Sequence, residues 1–295
     1  MAWSNPWSKI GLYLGLVLAL SSIFYALIIA TGHLAGGRGL YVTGLMWCPG
    51  VAAMLTCRMT GLGLDSLGWG WGRWRWQWLA YLLPLGYATV AYVIVWTAGM
   101  GSFGDPAFIA SIATDFGWTG APHWVLVSGY AILTGSVGMV FSIASGLGEE
   151  IGWRGFLAPQ ITQALGFTKG ALLTGVIWSA WHLPILLFAD YNAGTPWWFA
   201  MPCFVVLVIS ISLPMAWLRL RSGSLWTCAV LHASHNIFIQ AFFTPITAKT
   251  GWITPYAIDE FGFMLPLVAL FVAFMFWRQR HQLPQMPTNN RLEQP

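Results

Sequence analysis

Gly148-Glu149-Glu150-Ile151-Gly152-Trp153-Arg154-Gly155 closes a long apolar run with two adjacent carboxylates and an arginine. Only 7% of the 295 residues are charged, so this concentration needs a reason. Ionisable groups are expensive at membrane depth, and those that persist there mark functional sites by default. On a helix, positions four apart share a face. Glu150 and Arg154 are therefore placed to pair, while Glu149 points about 100° away, beside Trp153 one turn on, free to face a cavity. A carboxylate in an apolar, partly wet pocket suits a general base working near neutral pH. Gly148, Gly152 and Gly155 allow other helices to approach closely. Alone, the pattern is equally an ordinary charged cap at a span end.

The composition around it points to a membrane protein. The chain is 57% hydrophobic with a mean hydropathy of +0.67. Soluble domains average about 45–50% apolar and about 25% charged residues. The expectation is an all-α polytopic bundle, and the 20 Trp suit belts at the headgroup level. The pI of about 9.0 does not signal nucleic acid, because the basic residues lie between apolar runs rather than in one solvated patch. Cys48, Cys57, Cys203 and Cys228 form no C-x-x-C pair and read as small buried apolar residues.

A span needs about 20 mostly apolar residues. Runs at 10–31, 40–59, 79–99, 123–147, 169–189, 197–218, 224–243 and 258–277 give about eight. The first follows Lys9, but it is too long for a signal-peptide core and lacks a cleavage motif, so it reads as a retained span. Residues 69–78, rich in Trp and Arg, read as an interfacial anchor, and Pro106 to Phe116 as a short interfacial helix. Eleven of the 13 Lys and Arg, Arg154 and Arg219 among them, fall on the side that would also hold both termini. That bias predicts cytoplasmic termini and puts Glu149 and Glu150 near the cytoplasmic face. The domain reading is one helical unit over 1–278, with its motif-bearing core at about 120–245, and a polar, disordered tail over 279–295.

Two further clusters lie on separate spans. His182 follows Trp178 by one turn and precedes Pro184, which loosens a helix and can open it toward a cavity. His232, His235 and Asn236 lie toward one side of the seventh run and must face the bundle interior. An imidazole with a carboxamide makes a donor pair for an oxyanion. Structural histidine and interhelical hydrogen bonding are the plain alternatives for each cluster. Taken together, three polar clusters in a chain with almost no other intramembrane ionisable group are most economically one site.

The run Glu149-Glu150-Ile151-Gly152-Trp153-Arg154 resembles the E-E-x-x-x-R signature of the CPBP family, the CAAX proteases and bacteriocin-processing enzymes, also called Abi. Trp178 through His182 resembles its aromatic-x-x-x-His motif, with Trp in place of the usual Phe. His232 through Asn236 resembles its His-x-x-x-Asn motif. The resemblance covers roughly residues 120–245. It implies an intramembrane endopeptidase acting on membrane-associated or prenylated, CAAX-type substrates. Glu149 with His182 would activate a water, and His232 with Asn236 would stabilise the oxyanion. Glu150, Arg154, Trp178 and His235 would support them.

The resemblance implies no metal and no other cofactor. Glu149, His182, His232 and His235 leave zinc open as the alternative, although there is no H-E-x-x-H. Expected partners are membrane lipid and a peptide or prenylated protein, not nucleic acid. The expected location is a cell membrane, the bacterial inner membrane, with the site toward the cytoplasm. Two other functions compete. One is a non-catalytic immunity or scaffold protein of the same family. The other is a metal- or proton-coupled transporter, against which stands the lack of an inverted repeat.

Overall fold

A computed structural model describes residues 5–192 and 194–284. The chain is a polytopic all-α bundle with almost no sheet. Helix α1 spans Pro6–Thr31; the Asn5 side chain accepts from the Trp7 N–H and proline occupies the first helical position, a preferred way to start. It ends at Gly32, whose φ of 69° is the left-handed stop that glycine supplies. Next come α2 (Leu40–Thr60), α3 (Trp74–Thr97) and the short α4 (Pro106–Asp115), which is capped by Asp105 on the Phe108 N–H at 2.9 Å. Then follow α5 (His123–Leu165), α6 (Phe167–Phe188) and α7 (Trp197–Ser222).

A helical run over 226–246, α8, precedes a single turn at Thr254–Ala257 and α9 (Met264–Arg278). Strands Ser102–Phe103 and Thr247–Ala248 pair antiparallel and tie the end of α3 to the end of α8.

Six helices are long and apolar enough to cross a membrane: α1, α2 with its preceding turn, α3, α5, α6 and α7. The runs read as seventh and eighth spans are helical but of different extent. α8 carries the polar residues of the site, and α9 has 15 residues, starting at Met264 rather than near 258. Residues 258–263 instead form an irregular connection. Pro184 lies inside α6, which runs on to Phe188. Of the tail expected over 279–295, Gln279–Gln282 instead form a 3-10 turn, and the part beyond 284 lies outside the described residues.

α5 has 43 residues, about 64 Å at 1.5 Å per residue, so it extends well beyond one bilayer core. It contains two stretches of π-helix, Thr134–Gly138 and Ile151–Leu157, and α8 contains a third, Asn236–Phe243. Such insertions occur often at functional sites, where they re-aim side chains. Here the second begins immediately after Glu150 and the third begins at Asn236.

Glycines set the approach of α2 to α5. A Cβ on Gly148 would lie 2.6 Å from the Trp47 Cα, and one on Gly50 would lie 2.7 Å from the Gly148 carbonyl oxygen. Only two facing glycines let these backbones meet. α1 closes the same wall: Tyr13 packs on Phe156 with ring centroids 4.8 Å apart and edge-on to Trp153 at 6.1 Å. Cys48, Cys57 and Cys228 are buried and all four thiols are free.

Two cations counted as loop charges are buried. Arg154 is 1% exposed, and Arg219 donates from Nε to the Arg154 carbonyl at 3.0 Å and from Nη2 to the Leu67 carbonyl at 3.2 Å. Both satisfy internal acceptors, so neither reports orientation.

Candidate active site

A cavity of about 580 Å³ opens between α2, α5, α6, α7 and α8. Glu149, His182, His232, His235 and Asn236 all line it, as does Trp178. Residues spread over 88 positions of sequence, from three helices, are thereby brought to one hollow. Most of the remaining wall is aliphatic and aromatic, including Leu45, Phe204, Leu207 and Ile211.

Glu149 is 2% exposed and fixed through one oxygen. Its Oε2 accepts from the Trp178 indole N–H at 2.7 Å and from that of Trp153 at 3.4 Å. No partner among the described residues takes Oε1. The helical offset that frees Glu149 from the Glu150–Arg154 pair is as expected, but the carboxylate is tethered rather than loose. Trp178 supplies that tether, since its indole carries a donor that a phenyl ring lacks.

Glu150 is fully buried. Its Oε1 accepts from Arg154 Nη1 at 2.9 Å and from His232 Nδ1 at 2.9 Å. Arg154 also donates from Nη2 to Ser212 Oγ at 3.3 Å, and its guanidinium lies 4.0 Å over the Trp178 ring. The pair thus joins α5 to α6, α7 and α8. Charge is matched inside, which a buried carboxylate requires.

The two cavity histidines each have one nitrogen assigned by their partner. His182 Nδ1 lies 2.9 Å from the Trp178 carbonyl, which can only accept, so Nδ1 carries a proton and Nε2 is left to the cavity. His232 Nδ1 donates to Glu150, and again Nε2 is left. The Trp178 and His232 rings lie edge to face at 5.5 Å, and those of Trp178 and His182 at 5.9 Å.

His235 is different. Its Nε2 lies 2.7 Å from Glu260 Oε1 and its Nδ1 lies 2.5 Å from the Tyr87 hydroxyl. Both nitrogens are occupied, so it supports its neighbours. Glu260, which sequence reading did not single out, also lines the cavity. It accepts at Oε2 from Gln240 at 2.9 Å and from the Tyr191 hydroxyl at 3.3 Å. The available signal was Asp259-Glu260, an acidic pair directly before the last apolar run.

Among the described residues, no group of three or more His, Cys, Asp or Glu is placed to hold a metal ion. Glu149 has Oε2 engaged by the two indoles and Oε1 without a partner among the described residues, and both nitrogens of His235 are occupied. The Glu149 carboxylate, the His182 and His232 imidazoles and the Asn236 carboxamide line the same cavity.

Comparison with known proteins agrees with the motif reading. Residues 130–238 match the family model for Type II CAAX prenyl endopeptidase Rce1-like. The matched stretch contains Glu149, Glu150, Arg154, Trp178, His182, His232, His235 and Asn236, and it stops short of Glu260. "CAAX prenyl protease 2" of Methanococcus maripaludis is 24% identical over 80 residues, which is 25% of this chain and 28% of that relative's length.

Proposed function

We propose, for a chain whose residues 130–238 match the Rce1-like family model, that this cavity is the active site of an intramembrane endopeptidase. The observation that carries the reading is the convergence of Glu149, His182, His232 and Asn236 on one hollow within an apolar bundle. Glu149 Oε1 and His182 Nε2 are the two uncommitted acceptors. A water between them would lose its proton as its oxygen attacks the scissile carbonyl. The tetrahedral oxyanion would be held by the Asn236 carboxamide and by His232 Nε2. With Nδ1–H given to Glu150, His232 donates from Nε2 only as an imidazolium, and the Glu149 and Glu150 carboxylates together balance that charge and the charge of Arg154. The proton taken from water would pass to the leaving amine, and His182 is the group placed to carry it. No metal takes part in this scheme.

Substrates would be peptide segments held at the membrane, including prenylated CAAX-type C-termini, entering from the bilayer. The excess of basic residues on one side supports a cytoplasmic-facing site in a cell membrane. Omitting the buried Arg154 and Arg219, nine of eleven remaining Lys and Arg still fall on that side.

The test is a variant series in detergent or nanodiscs. Glu149→Ala, His182→Ala and His232→Ala should abolish peptide cleavage while leaving a folded, extractable protein, and Asn236→Ala should reduce it. A scaffold or immunity role would instead show lost stability in these variants, partner binding retained, and no cleavage by the wild type.

A further inference from the structure

Glu260 belongs to the connection between the Thr254–Ala257 turn and α9, outside the stretch that matches the family model. Yet that connection is built to aim one side chain. Asp259 has a φ of 67°, a left-handed conformation uncommon for a residue with a Cβ. The Asp259 side chain accepts the Glu260 N–H at 2.7 Å, and the Tyr92 hydroxyl accepts the Asp259 N–H at 3.1 Å. The Phe263 N–H closes the segment on the Tyr256 carbonyl at 2.8 Å. A strained residue persists only where its surroundings over-determine it, and such positions cluster at functional sites.

The carboxylate so placed has two arms. One reaches Tyr191, whose hydroxyl donates to Oε2 at 3.3 Å. The Tyr191 ring lies over His182, with centroids 6.0 Å apart and planes within 20°. Nothing but ring contacts and one Nδ1–H bond to Trp178 fixes the His182 imidazole among the described residues. The other arm reaches α8: His235 and Gln240 both donate to Glu260, one immediately before Asn236 and the other one turn after it. These two bonds clamp the start of the π-helical stretch from which Asn236 projects.

We infer that Glu260 is a positioning residue that holds the His182 ring through Tyr191 and the Asn236 turn through His235 and Gln240. The inference rests on the endopeptidase reading for its effect on rate, but not for its effect on the ring. Peptide contact is not its task. Removing it should therefore lower kcat far more than it changes KM.

The experiment measures steady-state cleavage and histidine ring NMR on the full chain in nanodiscs, with His182 assigned by His182→Gln. Glu260→Ala should cut kcat about tenfold or more, the scale of a misplaced reacting group, and should shift or broaden the His182 signal. Tyr191→Phe, which keeps the ring and the fold and deletes only the hydroxyl, should reproduce part of both effects. Glu260→Gln, which keeps one acceptor oxygen but puts an NH2 donor in place of the other, should recover part of the loss. The Glu260→Ala and Tyr191→Phe effects should be less than additive, since both break one arm. An unchanged His182 signal in both variants, or a kcat loss no larger than the loss of folded protein, would overturn the inference. Absence of cleavage by the wild type would overturn the endopeptidase reading instead, and the ring signal would still decide the positioning role.

Discussion

The indole N–H of Trp178 donates to Glu149 Oε2 at 2.7 Å, while the carbonyl of the same residue accepts from His182 Nδ1 at 2.9 Å. One residue thus orients both groups proposed to share the water. Its ring also carries the Arg154 guanidinium at 4.0 Å. Backbone and side chain have separable roles, which makes the relationship testable.

Trp178→Phe should keep the backbone bond and an aromatic face for Arg154 but leave Glu149 with the Trp153 indole alone, at 3.4 Å. Loss of one hydrogen bond to a charged group, worth about 1.5–3 kcal/mol, should lower the melting temperature, and the displaced carboxylate should lower the rate by about tenfold or more beyond any loss of folded protein. Steady-state cleavage with a melting curve checks this. An unchanged kcat would show that the indole N–H does not set the carboxylate.

Arg154→Ala should be a stability variant rather than a selective kinetic one. It leaves the fully buried Glu150 with His232 as its only partner, and breaking a buried pair costs about 3–5 kcal/mol. Denaturation in detergent should show it. Arg154→Lys should recover little, because an ammonium cannot reach Ser212, pair with Glu150 and stack on Trp178 together.

Gly148→Ala should separate α2 from α5. The added methyl would lie 2.6 Å from the Trp47 Cα and 2.7 Å from the Met46 carbonyl oxygen, both backbone atoms that cannot swing aside. Overpacking of this kind costs about 1–3 kcal/mol. Because Gly148 directly precedes Glu149, cleavage should fall together with the melting temperature. A variant with wild-type stability would contradict the close packing.

Outside the bundle, Asp190 clamps the turn after α1. Its Oδ1 accepts the Leu34 N–H at 2.6 Å and its Oδ2 lies 3.2 Å from His33 Nδ1. The Leu34 N–H, aided by His33, holds the Asp190 carboxyl below its ordinary value. A carboxyl lowered by folding contributes stability that is present above its unfolded pKa, about 3.9, and lost as pH falls through the lower folded value. The pair is exposed, so the effect is small and local. Hydrogen exchange at Leu34 should quicken as pH is taken from 5 toward 3, after correction for the intrinsic rate. Asp190→Asn should remove that dependence.

Much of the candidate site was legible in the chain because helical geometry is local. The four-residue offset gave the Glu150–Arg154 pair and sent Glu149 elsewhere, and both hold in the structure. The polar face of α8 was visible in the spacing of His232 and Asn236. What the chain did not reveal depends on long-range placement. His232 meets Glu150 across 82 positions, and Glu260 meets His235 across 25, through an irregular segment with no periodicity to read. Arg154 and Arg219 looked like orientation charges because only the folded bundle shows their internal acceptors. Similarly, α9 starts at Met264 rather than near 258 because the polar strap occupies residues that hydropathy assigns to the last span.

The central claim is that Glu149 activates the water that cleaves the peptide. The direct measurement is digestion of a membrane-anchored peptide library by reconstituted protein, read by mass spectrometry, comparing wild type with Glu149→Gln. The account predicts defined new termini with the wild type and none above background with the variant at equal folded protein. The same termini formed by Glu149→Gln at a comparable rate would contradict it.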